Sequence, residues 1–177
     1  MNLFLLVLLS GCSQSGIGEI VSSEDAPWSM DMAATFLFTP GGENDGAQGM
    51  GVLAISTNGA LACADVADGP PSQDSGLWFE VTYFTGRSSG SSPPAWNGLY
   101  AAGTAAAIES TATRSLDVGG WHKGFEYDFS NEDAWLEVSL GSQDRFAGSF
   151  SNEWWSGEFR AEVCDKAEVV DEVGDDT

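Results

Sequence analysis

The chain has 177 residues, of which 27 are Asp or Glu and six are Lys or Arg, so its formal net charge at pH 7 is -21. The length fits one domain with a real hydrophobic core. The charge argues against nucleic-acid binding, because phosphate contacts rely on Lys and Arg, and against adhesion to anionic lipid head groups. A solubilising surface explains the acidity, and a surface for calcium or a cationic partner is the alternative interpretation.

The first predicted element is an uninterrupted apolar run, Leu3 to Leu9. It has the length of a signal-peptide h-region and is far shorter than the ~20 residues of a membrane-spanning helix. The next residues, Leu9-Ser10-Gly11-Cys12, resemble the bacterial lipobox, although Met1-Asn2 lacks the usual Lys or Arg. The resemblance implies that residues 1-11 are a cleaved lipoprotein signal peptide and that Cys12 is acylated. A buried N-terminal strand with a structural Cys is the alternative.

Two polar segments are predicted to flank the folded domain. Residues 12-32 comprise Cys12 and a run rich in small and turn-forming residues, "SQSGIGEIVSSEDAPWSMD", which predicts a flexible tether. Residues 165-177, "DKAEVVDEVGDDT", carry six acids and one Lys, which predicts an acidic disordered tail. The folded domain is therefore expected over residues 33-164.

Within the domain, apolar and polar residues alternate with the period of a strand that has one wet face. The segment "FEYDFS" places Phe125, Tyr127 and Phe129 on one side, and "AWLEVSL" places Leu136, Val138 and Leu140 on one side. Further strand candidates are "AATFLFT", "LWFEVTYFT", "STATRSLDV", "RFAGSF" and "SGEFRAEVC". The segment "LYAAGTAAAIES" is ambiguous, because its alanines favour a helix whereas Gly103 disfavours one.

Two hairpins are predicted. In "GVLAISTNGALACADV", Asn58-Gly59 supplies the positive-φ residues of a tight turn, and the resulting register puts Leu61 and Cys63 on one face. The related segments Gly148-Ser149-Phe150 and Gly157-Glu158-Phe159 predict two paired strands near the end of the domain.

Some nine or ten short strands with almost no helix predict an all-β fold, a single antiparallel β-sandwich or barrel-like domain. The segments "GALACADV" and "RFAGSFSNEWWSGEFRAEVC" resemble a loose class of small bacterial lipoproteins. In that class, a Cys after the first hairpin and a Cys at the end of the last strand bracket an all-β domain. The resemblance implies a fold and a location, and it carries no activity over to this chain.

If Cys12 carries lipid, Cys63 and Cys164 remain, and an exported protein is expected to join them in a disulfide. Closing a loop of about a hundred residues stabilises a fold by ~4 to 5 kcal/mol in the chain-entropy model. A zinc site is not expected, since His122 is the only His in the chain. No cofactor is predicted.

Two short motifs resemble catalytic signatures. Gly86-Arg87-Ser88-Ser89-Gly90 matches G-x-S-x-G, with Asp117 and His122 further along, but the helix of a nucleophile elbow does not follow it. A serine esterase at Ser88 is therefore a weak alternative. Asp74-Ser75-Gly76 resembles the aspartic-protease triplet but follows "PPSQ", which predicts a turn. We expect no catalytic residues and no enzyme activity.

Two acidic turns, "GGENDGAQG" and "SNEDAW", offer oxygen ligands for calcium without the spacing of a calcium loop. Solvated turns are the default interpretation. The ligands of the alternative are Glu43, Asn44, Asp45, Asn131, Glu132 and Asp133.

The seven tryptophans exceed what a small core needs. Trp78 and Trp135 fall on the polar sides of their predicted strands, and Trp154 and Trp155 should point to opposite faces of an extended segment. Exposed Trp beside acids is typical of a surface that binds sugars or a protein. These four residues are the candidate ligand-binding residues, and burial of both faces under a covering loop is the alternative.

The predicted function is that of a membrane-anchored lipoprotein of the bacterial envelope acting as a non-catalytic binding or interaction module. A carbohydrate-binding module that uses exposed Trp is the first alternative. The lipoprotein resemblance implies the outer membrane, in either leaflet, because Ser13 and not Asp follows Cys12. The expected partners are the membrane through Cys12 and a polysaccharide or an envelope protein, but not nucleic acid.

Overall fold

The structure, a computed structural model, describes residues 16-31, 33, 35-40, 48-57, 61-63, 74-84, 96-102, 106-107, 113-129, 133-142 and 145-164. Within these ranges the regular elements are β1 (Ile17–Ser22), β2 (Thr35–Pro40), β3 (Gln48–Ser56), β4 (Ser75–Phe84), β5 (Gly98–Ala101), β6 (Ala106–Ala107), β7 (Thr113–His122), β8 (Phe125–Asp128), β9 (Trp135–Gly141), β10 (Phe146–Ser151) and β11 (Trp155–Val163). The prediction of an all-β fold is confirmed. The ambiguous segment contributes the strands β5 and β6.

The strands form one curled sheet in the order β5-β9-β10-β11-β2-β3-β4-β7-β6, with β1 beside β11 and β8 beside β7. The long strand β11 has different neighbours along its length. The first part pairs with β1 and β10, whereas Glu162 and Val163 pair with β2. We call β1, β11, β10, β9 and β5 the first layer, and β2, β3, β4, β6, β7 and β8 the second layer.

The pairing of β11 with β2 is parallel, so the sheet is mixed and the prediction of a purely antiparallel domain is wrong at this pair. The reason lies in the chain path. Strand β11 comes more than a hundred residues after β2 and extends beyond Ile17, the first residue of β1, to reach it. A parallel pair needs such a crossover, whereas sequence alternation is the same for both directions.

The core lies between the two layers. Phe38 of the second layer stacks on Phe146 of the first with 3.6 Å between ring centroids, and Phe79 lies 4.8 Å from Phe150. Strand β4 explains how the sequence builds this core, because the buried Leu77, Phe79 and Val81 alternate with Trp78, Glu80 and Thr82. The predicted hairpin of β10 and β11 is confirmed, with Ser149 opposite Glu158.

A second apolar cluster covers part of the outer face of the second layer. Its buried members are Leu37, Ala54, Leu61, Trp121 and Cys164, and the partly buried Cys63 and Trp78 pack against them. The disulfide between Cys63 and Cys164, with a Cα–Cα distance of 5.6 Å, holds residues 61-63 against this face. The predicted disulfide is therefore confirmed.

The predicted hairpin after β3 is wrong in its second strand. Asn58-Gly59 lies outside the described residues, and Leu61 and Ala62 are not in a strand. Residues 51-56 of β3 pair with β2 on one side, and the whole of β3 pairs with β4 on the other. Residues 61-63 therefore find no free edge beside residues 51-56, and they pack on the outer face of β3 instead.

The prediction of a flexible tether is wrong for residues 16-31. Ile17–Ser22 form β1 and pair residue by residue with β11, while Trp28 and Met30 are buried in the core. The carboxylate of Asp31 accepts hydrogen bonds from the Ser22 N–H at 2.7 Å and the Ser29 hydroxyl at 3.0 Å. These bonds, the one from the Ser22 backbone most of all, lower the pKa of Asp31.

Side chains link β5 of the first layer to β7 of the second. The Arg114 guanidinium donates to the Asn97 carbonyl at 2.8 Å and lies 5.7 Å from the centroid of the Tyr100 ring. The buried Tyr100 hydroxyl donates to the Trp96 carbonyl at 2.8 Å. Burial is the main cause that raises the pKa of Tyr100 to about 12, against the opposing effect of Arg114.

Tyr100 should therefore remain neutral well above pH 10. Because its folded-state pKa is raised, its contribution to stability is complete below the ordinary tyrosine pKa of 10 and is lost as the pH rises through about 12. An absorbance titration at the phenolate band should contain a late component that Tyr100→Phe removes. If the variant titrates like the original chain, the late phenol is not Tyr100.

Candidate functional site

The outer face of the first layer carries a row of polar side chains that crosses four neighbouring strands. Glu19 of β1 lies opposite Glu158 of β11, Glu158 lies opposite Ser149 of β10, and Ser149 lies opposite Glu137 of β9. The row follows from strand alternation: Glu137, for example, is exposed between the buried Leu136 and Val138. We call these four residues the acidic row.

Exposed aliphatic side chains surround the acidic row. On β1, Ile17 and Val21 are 66% and 67% exposed. Ile20, on the opposite side of the strand, is buried in the core. Leu99 of β5 continues the row beyond Glu137, and Leu140 lies at the end of β9. Among the described residues these four make up most of the large apolar side chains that are exposed, and the remaining two are Phe125 and Tyr127 on β8. The first layer therefore presents apolar surface and carboxylates together.

An open groove of about 630 Å³ runs over this face. Small residues lie along it, among them Ala147, Gly148 and Ser149. At Gly148 the register between β10 and β9 shifts by one residue, and an added Cβ would collide with the Glu137 carbonyl. The Ser139 hydroxyl donates to the Ala147 carbonyl at 3.2 Å across this bulge. The bulge and the small residues keep the groove open beside Glu137.

The charge along the groove is strongly negative. Of the described residues that line it, Glu19, Glu137 and Glu158 are acids and Arg160 is the single cation. Glu19 and Glu158 are directly opposite each other, an arrangement of like charges that costs stability. Glu137 lies two strands from Glu158, about 10 Å at the usual strand spacing.

No group of three metal-ligating side chains occurs in the part of the chain that the structure describes. Of the predicted calcium ligands, Glu43, Asn44, Asp45, Asn131 and Glu132 lie outside the described residues. Asp133 is in an exposed turn.

The four candidate tryptophans are not brought together. Trp135 is on the outer face of the first layer, opposite Ser151, and is partly buried. Trp78 is partly buried in the cluster on the outer face of the second layer. This agrees with the alternative interpretation, in which a covering loop buries the tryptophan.

Trp155 is 1% exposed, so its assignment to an exposed patch is wrong. Trp154 precedes β11 and is not extended, which is why the two neighbours do not point to opposite faces. Both rings contact Phe129, at 5.0 and 5.4 Å between centroids. Their backbone N–H groups donate to the Asn152 side-chain oxygen at 3.0 and 2.8 Å, which fixes the turn before β11.

Of the candidate residues for a serine esterase, only Asp117 and His122 are among the described residues, and they lie on opposite sides of β7. Ser88 lies outside the described residues, and Asp117 is exposed on the outer face of the second layer. His122 faces the other side of β7, where its Nδ1 is 2.6 Å from the Ser75 hydroxyl and its ring stacks on Trp28 at 5.2 Å. Ser75 and Gly76 begin β4 and are not in the predicted turn.

The pair of Ser75 and His122 was missed in the sequence, because only the register of β4 with β7 makes these residues neighbours. A hydroxyl beside an imidazole can serve nucleophilic catalysis when a third group orients the base and donors stabilise the oxyanion. The described contacts of His122 are a hydroxyl and an aromatic ring, which suit a structural cross-strand pair.

Comparisons with protein-family models, with curated proteins and with solved structures found no match to this chain. Within the described ranges, no helix has the length and apolar character needed to cross a membrane. Cys12 and the predicted signal peptide lie outside those ranges.

Proposed function

We propose that the protein is a membrane-anchored lipoprotein of the bacterial envelope that acts as a non-catalytic binding module. The observation that carries the binding role is the open outer face of the first layer, where exposed aliphatic side chains surround a groove lined by carboxylates. Exposed apolar surface beside a rim of polar groups is typical of interaction sites. The corresponding face of the second layer is partly covered by the disulfide-linked cluster.

The anchor in this proposal is Cys12, supported by its lipobox context. Because β1 belongs to the folded domain, only a short segment separates the domain from the anchor. Five residue steps separate Cys12 from Ile17, so the chain between them spans at most about 18 Å. The binding face includes β1 and would therefore lie near the membrane surface, in the outer membrane by the lipoprotein resemblance.

The change Cys12→Ser should release the protein from membranes, because it removes the thiol that receives the lipid. Membrane and soluble fractions of cells expressing each form, followed by mass spectrometry of the N-terminal peptide, measure this. Ser10→Thr, which keeps Cys12, should be acylated and stay in the membrane fraction. An unacylated N-terminal peptide in the original chain would contradict the anchor.

A second candidate function is carbohydrate binding at the same face. It is favoured by one observation: of the seven tryptophans, all of which the structure describes, Trp135 alone lies on the outer face of the first layer. Glu137 follows it by two residues on the same side of β9. An indole ring can stack on a sugar while the carboxylate accepts hydroxyl hydrogen bonds.

This candidate predicts a saturable change in Trp fluorescence when the full-length chain, held in zwitterionic micelles, is titrated with envelope and capsular polysaccharides. Trp135→Ala should abolish the change, and Trp78→Ala, a partly buried Trp of the second layer, should preserve it. Saturable binding that survives Trp135→Ala would place the sugar site elsewhere.

A further inference from the structure

We infer that the partner of the outer face of the first layer is a protein segment that carries Lys or Arg among aliphatic side chains. This inference rests on the proposed function and names the class of partner for the same site. It is argued from three features of the described residues: the acidic row, the aliphatic side chains around it and the groove along the row, which Ile17 also lines.

The acidic row supplies the charge complementarity. Glu19 and Glu158 face each other directly, so a cationic group placed between them turns a repulsive pair into two attractive ones. Glu137 repeats the negative charge about 10 Å further along. This distance lies between the spacings of side chains on one side of an extended chain, about 7 Å for two residues and about 13 Å for four, and the length of a Lys or Arg side chain covers the difference. Cationic side chains spaced along one segment can therefore meet both parts of the row.

The aliphatic side chains define the rest of the partner. Ile17 and Val21 lie on either side of Glu19 on β1, and Leu99 lies beyond Glu137 on β5. A purely cationic ligand such as a polyamine would leave these side chains in water. A segment with both kinds of side chain would cover them and match the carboxylates at the same time.

The same features disfavour other occupants. Anionic lipid and nucleic acid would meet the acidic row with charge of the same sign. A second copy of this face would place one acidic row against another. A neutral polysaccharide matches the polar groups but leaves the aliphatic side chains without apolar contacts, and it is kept as an outcome of the test.

The test uses the full-length chain in zwitterionic micelles and a short peptide with the repeat Lys-Lys-Leu-Leu, called the Lys-Leu peptide, which presents both kinds of side chain on each side when extended. A peptide of equal length with the repeat Glu-Glu-Leu-Leu, called the Glu-Leu peptide, is the probe of opposite charge. Binding is measured by calorimetry and by Trp fluorescence. We expect saturable binding of the Lys-Leu peptide, weakened by added salt, and none of the Glu-Leu peptide. Glu19→Gln with Glu158→Gln should lower the affinity by about tenfold, which corresponds to about 1.4 kcal/mol.

The matched control is a second pair of directly opposed acids, Glu80 and Asp117, on the outer face of the second layer. Glu80→Gln with Asp117→Asn changes the net charge equally and should alter the affinity by less than about twofold, as expected for charges a Debye length or more away. Arg160→Gln, which removes the cation from the groove, should strengthen binding. Circular dichroism and thermal melting establish that every variant is folded.

Equal losses in the two double variants would overturn the inference, because binding would then follow net charge and not this face. No gain from Arg160→Gln would also contradict it. Failure of the Lys-Leu peptide together with polysaccharide binding that depends on Trp135 would overturn the partner class and leave the proposed function standing. Failure of both ligands, with Cys12 unacylated, would overturn the proposed function itself.

Discussion

Replacing Cys63 and Cys164 together with Ala is expected to lower the free energy of unfolding by about 4 to 5 kcal/mol. The two residues are 101 positions apart, so their bond closes most of the domain into one loop and restricts the unfolded chain strongly. The bond also holds Leu61 in the outer cluster of the second layer, where it is 7% exposed. For a domain with an ordinary total stability of about 5 to 15 kcal/mol, this loss is large.

Urea unfolding followed by far-UV circular dichroism measures this loss, and a reduced sample of the original chain is the matched comparison. The reduced sample should lose nearly as much as the double variant, since both lack the loop closure while differing only at two sulfur atoms. Cys12→Ser under the same oxidising conditions should unfold like the original chain, because Cys12 takes no part in this bond. A loss below about 1 kcal/mol would mean that packing on the outer face of the second layer, and not loop closure, determines the stability of this region.

Local alternation predicts the strands whose two sides meet different surroundings. In β4, Leu77, Phe79 and Val81 are fully buried, and the residues between them are not. The same property explains why the segments that became β7, β9, β10 and β11 could be found without a structure. The disulfide was predictable for a different reason, since the lipobox left two cysteines and one way to pair them.

Alternation fails where a strand depends on a distant partner. The residues of β1 were assigned to the tether because the segment around them is rich in small, polar and turn-forming residues. In the structure β1 buries only Ile20, yet it pairs along its whole length with β11, more than a hundred residues away. For β8, alternation wrongly suggests a buried side. Phe125 and Tyr127 alternate with acids but are 69% and 39% exposed, because β8 pairs with the end of β7 at the margin of the sheet. The pattern reports which residues share a side and not whether anything covers that side.

The candidate binding face could not be predicted from the sequence, because it too depends on the pairing of distant strands. Glu19, Glu137 and Glu158 come from three strands spread over most of the chain, and only the register places them in one row. Tryptophan content did point to this face through Trp135. It also pointed to Trp155, because an isolated run of residues does not reveal the turn at Asn152 that directs the ring into the core.

The change Trp155→Ala is expected to lower the free energy of unfolding by about 3 to 5 kcal/mol. The ring is 1% exposed and packs between Trp28 and Phe129, with centroid distances of 5.0 and 5.4 Å. Its Nε1 donates to the Trp28 carbonyl at 3.1 Å, so the change also leaves that buried acceptor without its donor. The ring contact with Trp28 and this hydrogen bond both join the segment before β2 to the start of β11. Trp155 is therefore central to the packing of this end of the domain.

The adjacent Trp154 provides the control, because it is partly buried and its ring meets Phe129 from the outer side of the same cluster. Urea unfolding should give Trp154→Ala a clearly smaller loss than Trp155→Ala. Trp155→Phe, which keeps an aromatic ring but removes the donor, should fall between the two, at about 1 to 3 kcal/mol. A loss for Trp154→Ala as large as that for Trp155→Ala would contradict this account, because the two rings would then contribute equally to the packing of the core.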